Sequence, residues 1–266
     1  MRSERPPAVA GTFYPDDHTA LRTLVRDLLG QAPAGDAAPP KAVIAPHAGF
    51  PFSGPVAAAA YARLAPLREQ VARVILLGPS HHVPFRGLAT SSADTFTTPL
   101  GPITVDREAV AAAEALDGVG PMDAAHAREH SLETQLPFLQ EVLGDFQLVP
   151  VVVGDAAPEA VGALLETLWG GPETIVVISS DLSHFLDDTA ARERDAATAR
   201  AIEALAPERI GPEEACGCRP VNGLLWLAGR GGHRIDTLDL RNSGDAGAPR
   251  NRVVGYGAFA LEESAQ

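Results

Sequence analysis

Residues 72–84, ARVILLGPSHHVP, decide how the rest of the chain is read. Val74, Ile75, Leu76 and Leu77 form an apolar, partly β-branched run closed by Gly78-Pro79, which is the pattern of a buried strand. The strand runs directly into His81 and His82. Working outward, KAVIAP (41–46), FQLVPVVVG (146–154) and ETIVVISS (173–180) repeat the pattern, and RVVGYGAFAL (252–261) reads as a late strand whose glycines mark a close approach of backbone or ligand. Helical periodicity lies between them. Residues 16–31 place Leu21, Leu24, Val25, Leu28 and Leu29 on one face. Residues 54–66, 130–144, 157–170, 188–205 and 219–232 also read as helices, that at 130 with an imperfect cap formed by Ser131, Glu133 and Thr134. Strand–helix alternation predicts an α/β fold with helices packed on a central sheet. Residues 86–106, RGLATSSADTFTTPLGPITVD, break the alternation and read as a hairpin or meander turning at PLGP, so the sheet is expected to be mixed. The Pro/Gly/Ala loop at 30–41 comes too early to divide domains, and the reading is one domain over 1–266.

Composition narrows the function classes. The chain has 266 residues, a net charge of −13 and a hydrophobic fraction of 45%, but only 5% aromatics, so Ala, Val, Leu and Ile must build the core. No Lys/Arg cluster is present to neutralise phosphates, which argues against nucleic-acid binding. Cys216 and Cys218 are the two cysteines, too close for an ordinary disulfide, which fits a reducing cytosol. No stretch approaches the ~18 apolar residues of a membrane span, and the N-terminus lacks the apolar core of a signal peptide. A cytoplasmic protein is expected.

Ligands of open α/β sheets sit beyond the carboxyl ends of strands, and unusual polar residues recur there. APHAGF supplies His47, GPSHH supplies His81 and His82, and SSDLSHF supplies Ser179, Ser180, Asp181, Ser183 and His184. EHSLETQLPF adds His130 and Glu133 at a helix start. Each histidine alone is an ordinary loop residue, but five of the eight fall in four such segments, which points to one site. Two neutral imidazoles with a third N, O or S donor make a transition-metal site with open positions. Asp181, Glu133 and Cys216 all qualify as the third ligand. A carboxylate would suit non-haem iron; a thiolate favours softer metals while still admitting iron(II). His18, His126 and His233 read as surface residues.

Other chemistries find less support. ISSD lacks the G-x-S-x-G elbow of an α/β hydrolase, and Ser179, Asp181 and His184 lie too close in sequence for a linear triad. No dinucleotide fingerprint or P-loop occurs in context. C-G-C is not a four-cysteine zinc pattern, and its plain reading is two small buried residues at a helix start.

Taken together, APHAGFPFSG, LLGPSHHVP, EHSLETQLPFL, VVISSDLSHF and CGCRPVNGLL, in that order, resemble the Memo family, whose bacterial and archaeal members carry the label AmmeMemoRadiSam system protein B. VAGTFYP and VVGYGAFAL match as well, so the resemblance spans nearly the whole chain. It implies a fold similar to class III extradiol dioxygenases, which hold non-haem iron(II) with two histidines and a glutamate. In the Memo family a cysteine takes the carboxylate position. Carried over by motif, His47, His81 and Cys216 look like the metal ligands, binding iron(II) or copper. Asp181, His184 and His130 point into the same pocket, with His184 resembling the acid/base histidine. Where some members have an Arg-His pair after CG, this chain has Cys218-Arg219, which sets a second thiol near the site.

The resemblance implies redox chemistry on a small molecule or O₂, with His184 as proton shuttle, Asp181 orienting an imidazole or bound water, and His130 and Glu133 lining the pocket. The thiolate argues against catechol cleavage, and fold analogy does not transfer a reaction. The competing readings are a non-enzymatic module binding a peptide or protein, and a metal-dependent hydrolase. The family label also implies radical-SAM partner proteins. Within the doublet, neighbouring side chains of an extended segment point to opposite sides. The motif selects His81, leaving His82 to a supporting or packing role.

Overall fold

The computed structural model describes residues 3–33 and 38–263; part of the loop expected at 30–41 therefore lies outside the described residues. The strands are β1 (Glu4–Arg5), β2 (Ala42–Ala45), β3 (Arg73–Pro79), β4 (Leu88–Thr90), β5 (Thr95–Thr98), β6 (Gly101–Thr104), β7 (Val119–Pro121), β8 (Gln147–Val153), β9 (Thr174–Ser179), β10 (His184–Leu186), β11 (Arg234–Asn242) and β12 (Val253–Glu262). The helices are α1 (His18–Gln31), α2 (Phe50–Ala62), α3 (Arg107–Glu114), α4 (Asp123–Ala127), α5 (Leu136–Leu143), α6 (Pro158–Leu168), α7 (Asp188–Glu203) and α8 (Cys218–Gly231).

The fold is a single α/β domain built on a mixed sheet ordered β10-β12-β2-β9-β3-β8-β4-β7, with β11 paired to β12. Its centre, β2-β9-β3-β8, is parallel. These strands are buried along nearly their whole length, as continuous apolar runs require when helices cover both faces. Antiparallel β12 and β4 flank the parallel centre and make the sheet mixed. The hairpin expected within 86–106 is β5-β6, but it leaves the main sheet and pairs with β1 instead. Only β4 of that stretch joins the large sheet.

Helices α1, α2 and α5 pack together, and α2 lies on β2, β11 and β12; α3, α6 and α8 form another group, with α8 against β3 and β9. Asp17, Asp106 and Asp187 cap α1, α3 and α7 by accepting the backbone N–H three residues on. Two helix starts differ from the sequence reading. α2 begins at Phe50, before the Ala-rich run, because Pro51 falls in its first turn, where a missing N–H costs nothing. The segment after His130 opens as a short 3₁₀ turn, Glu133–Gln135, and Ser131 caps nothing: its hydroxyl donates to the Pro79 carbonyl at 2.9 Å.

Candidate metal centre

Three neighbouring parallel strands end at one edge of the sheet. Ala45 of β2 pairs with Ser179 of β9, and Leu77 of β3 with Ile178. The segments that continue from these ends therefore emerge side by side. They carry His47, Asp181 and His81. The alignment of β2 and β9 persists past the ladder, since the His47 N–H donates to Asp181 Oδ1 at 2.7 Å.

Cys216 arrives from the turn before α8. Its N–H donates to the Asp181 carbonyl at 3.2 Å, and Sγ sits 3.3 Å from His47 Nε2. Glycine is required next to it. A Cβ on Gly217 would stand 2.6 Å from Ser180 Cβ and 2.7 Å from the Ser179 carbonyl oxygen. Only without that atom can the turn press onto the end of β9.

His47, His81 and Cys216 each place one donor atom within 4.8 Å of the others. Both rings have their Nδ1 committed. The Ser179 hydroxyl spends its one proton on the Ser131 carbonyl at 2.6 Å and accepts from Gln135 Nε2 at 2.8 Å. It has only an acceptor left for His47 Nδ1, 2.8 Å away. His47 is thus protonated on Nδ1, and its Nε2 lone pair faces Cys216. On the other side, His81 Nδ1 lies 2.8 Å from Glu129 Oε1, which leaves Nε2 of that ring as its free donor. Gln135 is itself held, donating to the Pro46 carbonyl at 3.0 Å and accepting from Tyr61 at 2.6 Å.

Electrostatics agree with a neutral His47 and a neutral His130. Burial, then His81 and His130, hold His47 well below the ordinary histidine range. Burial and His81 push His130 down to about 4. Glu129 is fully buried; burial alone would raise its carboxyl, but the His81 ring and the backbone N–H groups of His81 and Ser131 outweigh it and leave it ionised. Burial lifts Asp181 to about 6 against the His47 N–H, and burial together with Asp181 raises the Cys216 thiol well above its usual range. A cation at the three donors would reverse that last effect by stabilising the thiolate.

The other expected residues fall as follows. His130 stacks on His81 with ring centroids 4.5 Å apart and meets His47 edge-on at 5.4 Å. His184 is half-buried, its Nδ1 donating to the Leu182 carbonyl at 2.8 Å, and it is near enough for its charge to act on both His47 and Asp181. His82 is exposed and meets the His130 ring edge-on, with centroids 6.1 Å apart.

The family model described as Memo-like protein matches residues 5–260. A MEMO1 family protein of Aquifex aeolicus is 35% identical over 95% of this chain and 97% of its own length. One from Ignicoccus hospitalis is 34% identical over 96% and 97%, and one from Methanosarcina barkeri 35% over 97% and 100%. The chain belongs to the Memo family. The mixed α/β architecture is compatible with the dioxygenase-like fold that membership implies, and among the described residues no helix is long and apolar enough to cross a membrane.

Several sequence expectations need correction in this Memo-family chain. Glu133 does not line the pocket: its carboxylate is fully buried, pairs with Arg5 and Tyr14, and accepts the N–H groups of Ala8 and Val9 at 2.7 and 2.9 Å. It fastens the N-terminal segment. His126 is not a surface residue but is 1% exposed, with Nε2 3.0 Å from the Ala89 carbonyl. His233 is half-buried and stacks on Trp169, whereas His18 is exposed as expected. Cys218 packs into the hydrophobic core, and Arg219 pairs with Asp155 at 2.8 Å. Asp181 holds the His47 backbone N–H through Oδ1, and its Oδ2 lies 4.0 Å from His47 Nε2. Sequence reasoning missed Glu129, Ser179 and Gln135 as the groups that hold the imidazoles. Glu129 directly precedes a candidate histidine, a signal visible only in retrospect.

Proposed function

We propose that this Memo-family protein binds a transition metal through His47 Nε2, His81 Nε2 and Cys216 Sγ and serves redox chemistry on a small molecule. The observation that carries the reading is the pair of orienting contacts, Ser179 on His47 and Glu129 on His81, which leave two imidazole lone pairs beside one thiol. Metal-bound imidazoles as a rule have their second ring nitrogen held in this way. Two nitrogens and a sulfur suit copper and also admit iron(II). Such an ion would supply a Lewis-acidic, redox-active centre with open positions.

The surrounding residues then have distinct tasks. His184, half-buried with Nδ1 spent on a backbone carbonyl, offers Nε2 to move a proton. Asp181 holds the His47 backbone and presents Oδ2 toward the pocket, 4.0 Å from His47 Nε2. His130, kept neutral by burial, forms a wall beside His81. Radical-SAM partner proteins belong to the same proposal, as the source or consumer of the small molecule.

Elemental analysis of protein purified without chelators tests it. The wild type is expected to carry or take up about one metal ion per chain, the number a three-donor site holds. His47→Ala, His81→Ala and Cys216→Ala should lose it, while His82→Ala keeps it. Full metal retention in the first three variants sinks the ligand set. A wild type that takes up neither iron(II) nor copper anaerobically supports a peptide-binding pocket instead.

A further inference from the structure

Tyr256 has no place in the arrangement described so far, yet two sets of strand contacts bring it to the site. In the β12–β2 register, Phe259 faces Ile44 and Leu261 faces Ala42. Continued past the ladder, the same antiparallel register sets Tyr256 beside His47, and residues opposite one another on such strands project to the same face. Further along the same edge, beyond its pairing with β2, β12 holds the segment that follows Asp181, while its opposite edge pairs with β11. The Leu182 N–H donates to the Gly255 carbonyl and the Gly255 N–H to the Ser183 carbonyl, both at 2.8 Å.

The flanking glycines serve packing on the opposite face. A Cβ on Gly255 would stand 2.0 Å from Asp195 Oδ2, and one on Gly257 2.5 Å from the Phe259 ring. Tyr256 is the side chain this stretch of strand has left to present. It is 2% exposed, but its phenolic oxygen has no hydrogen-bond partner among the described residues. Unlike the Ser183 hydroxyl, which is sealed in without a partner, that oxygen still reaches accessible space. Burial, and then the charge of Asp181, hold the phenol well above its ordinary range, so it is a neutral donor next to a carboxylate.

A donor beside a carboxylate acceptor matches a group that both accepts and donates, which is a hydroxyl and not a carboxylate or an ammonium. We propose that Tyr256 contacts the ligand of this pocket, donating to the oxygen of an alcohol, enol or phenol whose own proton goes to Asp181. The inference rests on the preceding reading only in placing the ligand at the His/Cys pocket.

Calorimetric titration of the full chain with phenol and with toluene, its near-isostere without the hydroxyl, provides the test. The wild type is expected to bind phenol more tightly than toluene. Tyr256→Phe should weaken phenol binding roughly tenfold, the worth of one hydrogen bond to a ligand. Its toluene binding, metal content and Tm should be unchanged, because the hydroxyl has no partner inside the protein. Equal binding of the two probes by the wild type, or none, overturns the hydroxyl class. Unchanged phenol affinity in Tyr256→Phe overturns the contact, and a lowered Tm with unchanged affinity assigns the hydroxyl to structure. Metal content measured on the same samples keeps the two readings apart: Tyr256-dependent phenol binding in a chain that takes up no metal would sink the metal centre and leave this proposal standing.

Discussion

Glu129 does for His81 what Ser179 does for His47, and with a charge. Its Oε1 lies 2.8 Å from the ring nitrogen and its Oε2 accepts the His81 N–H at 2.6 Å, so one carboxylate grips both the side chain and the backbone of the same residue. The same Oε1 accepts the N–H groups of His130 and Ser131, each at 2.9 Å. Removing the charge while keeping the shape isolates its effect. Glu129→Gln is expected to weaken metal binding by about 10- to 100-fold, the usual cost of losing a partner that orients a ligand. Competition against a chromophoric chelator measures it, and an unchanged affinity would show that His81 needs no carboxylate behind it. His82→Ala serves as the control, because that ring is exposed and stands outside the three donor atoms.

At the scale of elements, α8 shows how one glycine differs from another. Gly217, at its N-terminus, sits against β9 with no room for a Cβ. Gly217→Ala should cost about 1–3 kcal/mol, the range for forcing an extra carbon into a packed site, and should displace Cys216 with it. Gly229, in the body of the same helix, has nothing within 4 Å of a built Cβ. Gly229→Ala should stabilise by about 0.5–1 kcal/mol through the entropy of the unfolded chain. Urea unfolding of the two variants checks both signs. The body of α8 was legible from its apolar periodicity. The closeness of its first turn to β9 was not, because C-G-C carries no trace of what lies opposite. The start of α2 was hidden for a related reason: PFSGP, with two prolines, has the composition of a loop, yet Pro51 falls in the first turn and Pro55 is carried inside the helix.

For the molecule as a whole, two buried polar systems make stability testable by substitution and by pH. Arg5 and Glu133 form an ion pair that is almost wholly dry and ties the first residues to the segment that carries His130. Breaking it from one side leaves a buried charge, so Glu133→Ala should lose about 3–5 kcal/mol. Limited proteolysis should then cut the N-terminal segment, which Glu133 also holds through Tyr14, Ala8 and Val9. The second system is the set of buried neutral histidines. Burial lowers His126 from 6.5 to about 4. Between those values the unfolded chain takes up a proton that the folded chain refuses, so stability is complete above pH 6.5 and declines as the pH falls toward 4. His47 and His130 act in the same direction. For His126 the effect amounts to about 3 kcal/mol at the acid end. His126→Asn should flatten the slope of unfolding free energy against pH across that window; an unchanged slope would show that the ring titrates normally.

The sequence by itself determined the α/β class, the buried strands, most helix bodies and the histidine-bearing segments. Hydrophobic periodicity and strand-end motifs are local properties, written into neighbouring residues. Only the tertiary structure decided that β2, β9 and β3 lie side by side, which is why His47, Asp181 and His81 meet. It also decided that Glu133 serves the N-terminal segment while Glu129 serves the site, although both stand within a few residues of the same histidine. Composition cannot separate two buried glutamates. Their roles follow from which donors come within hydrogen-bond distance, and those donors arrive from 48 residues away for Glu129 and 128 for Glu133.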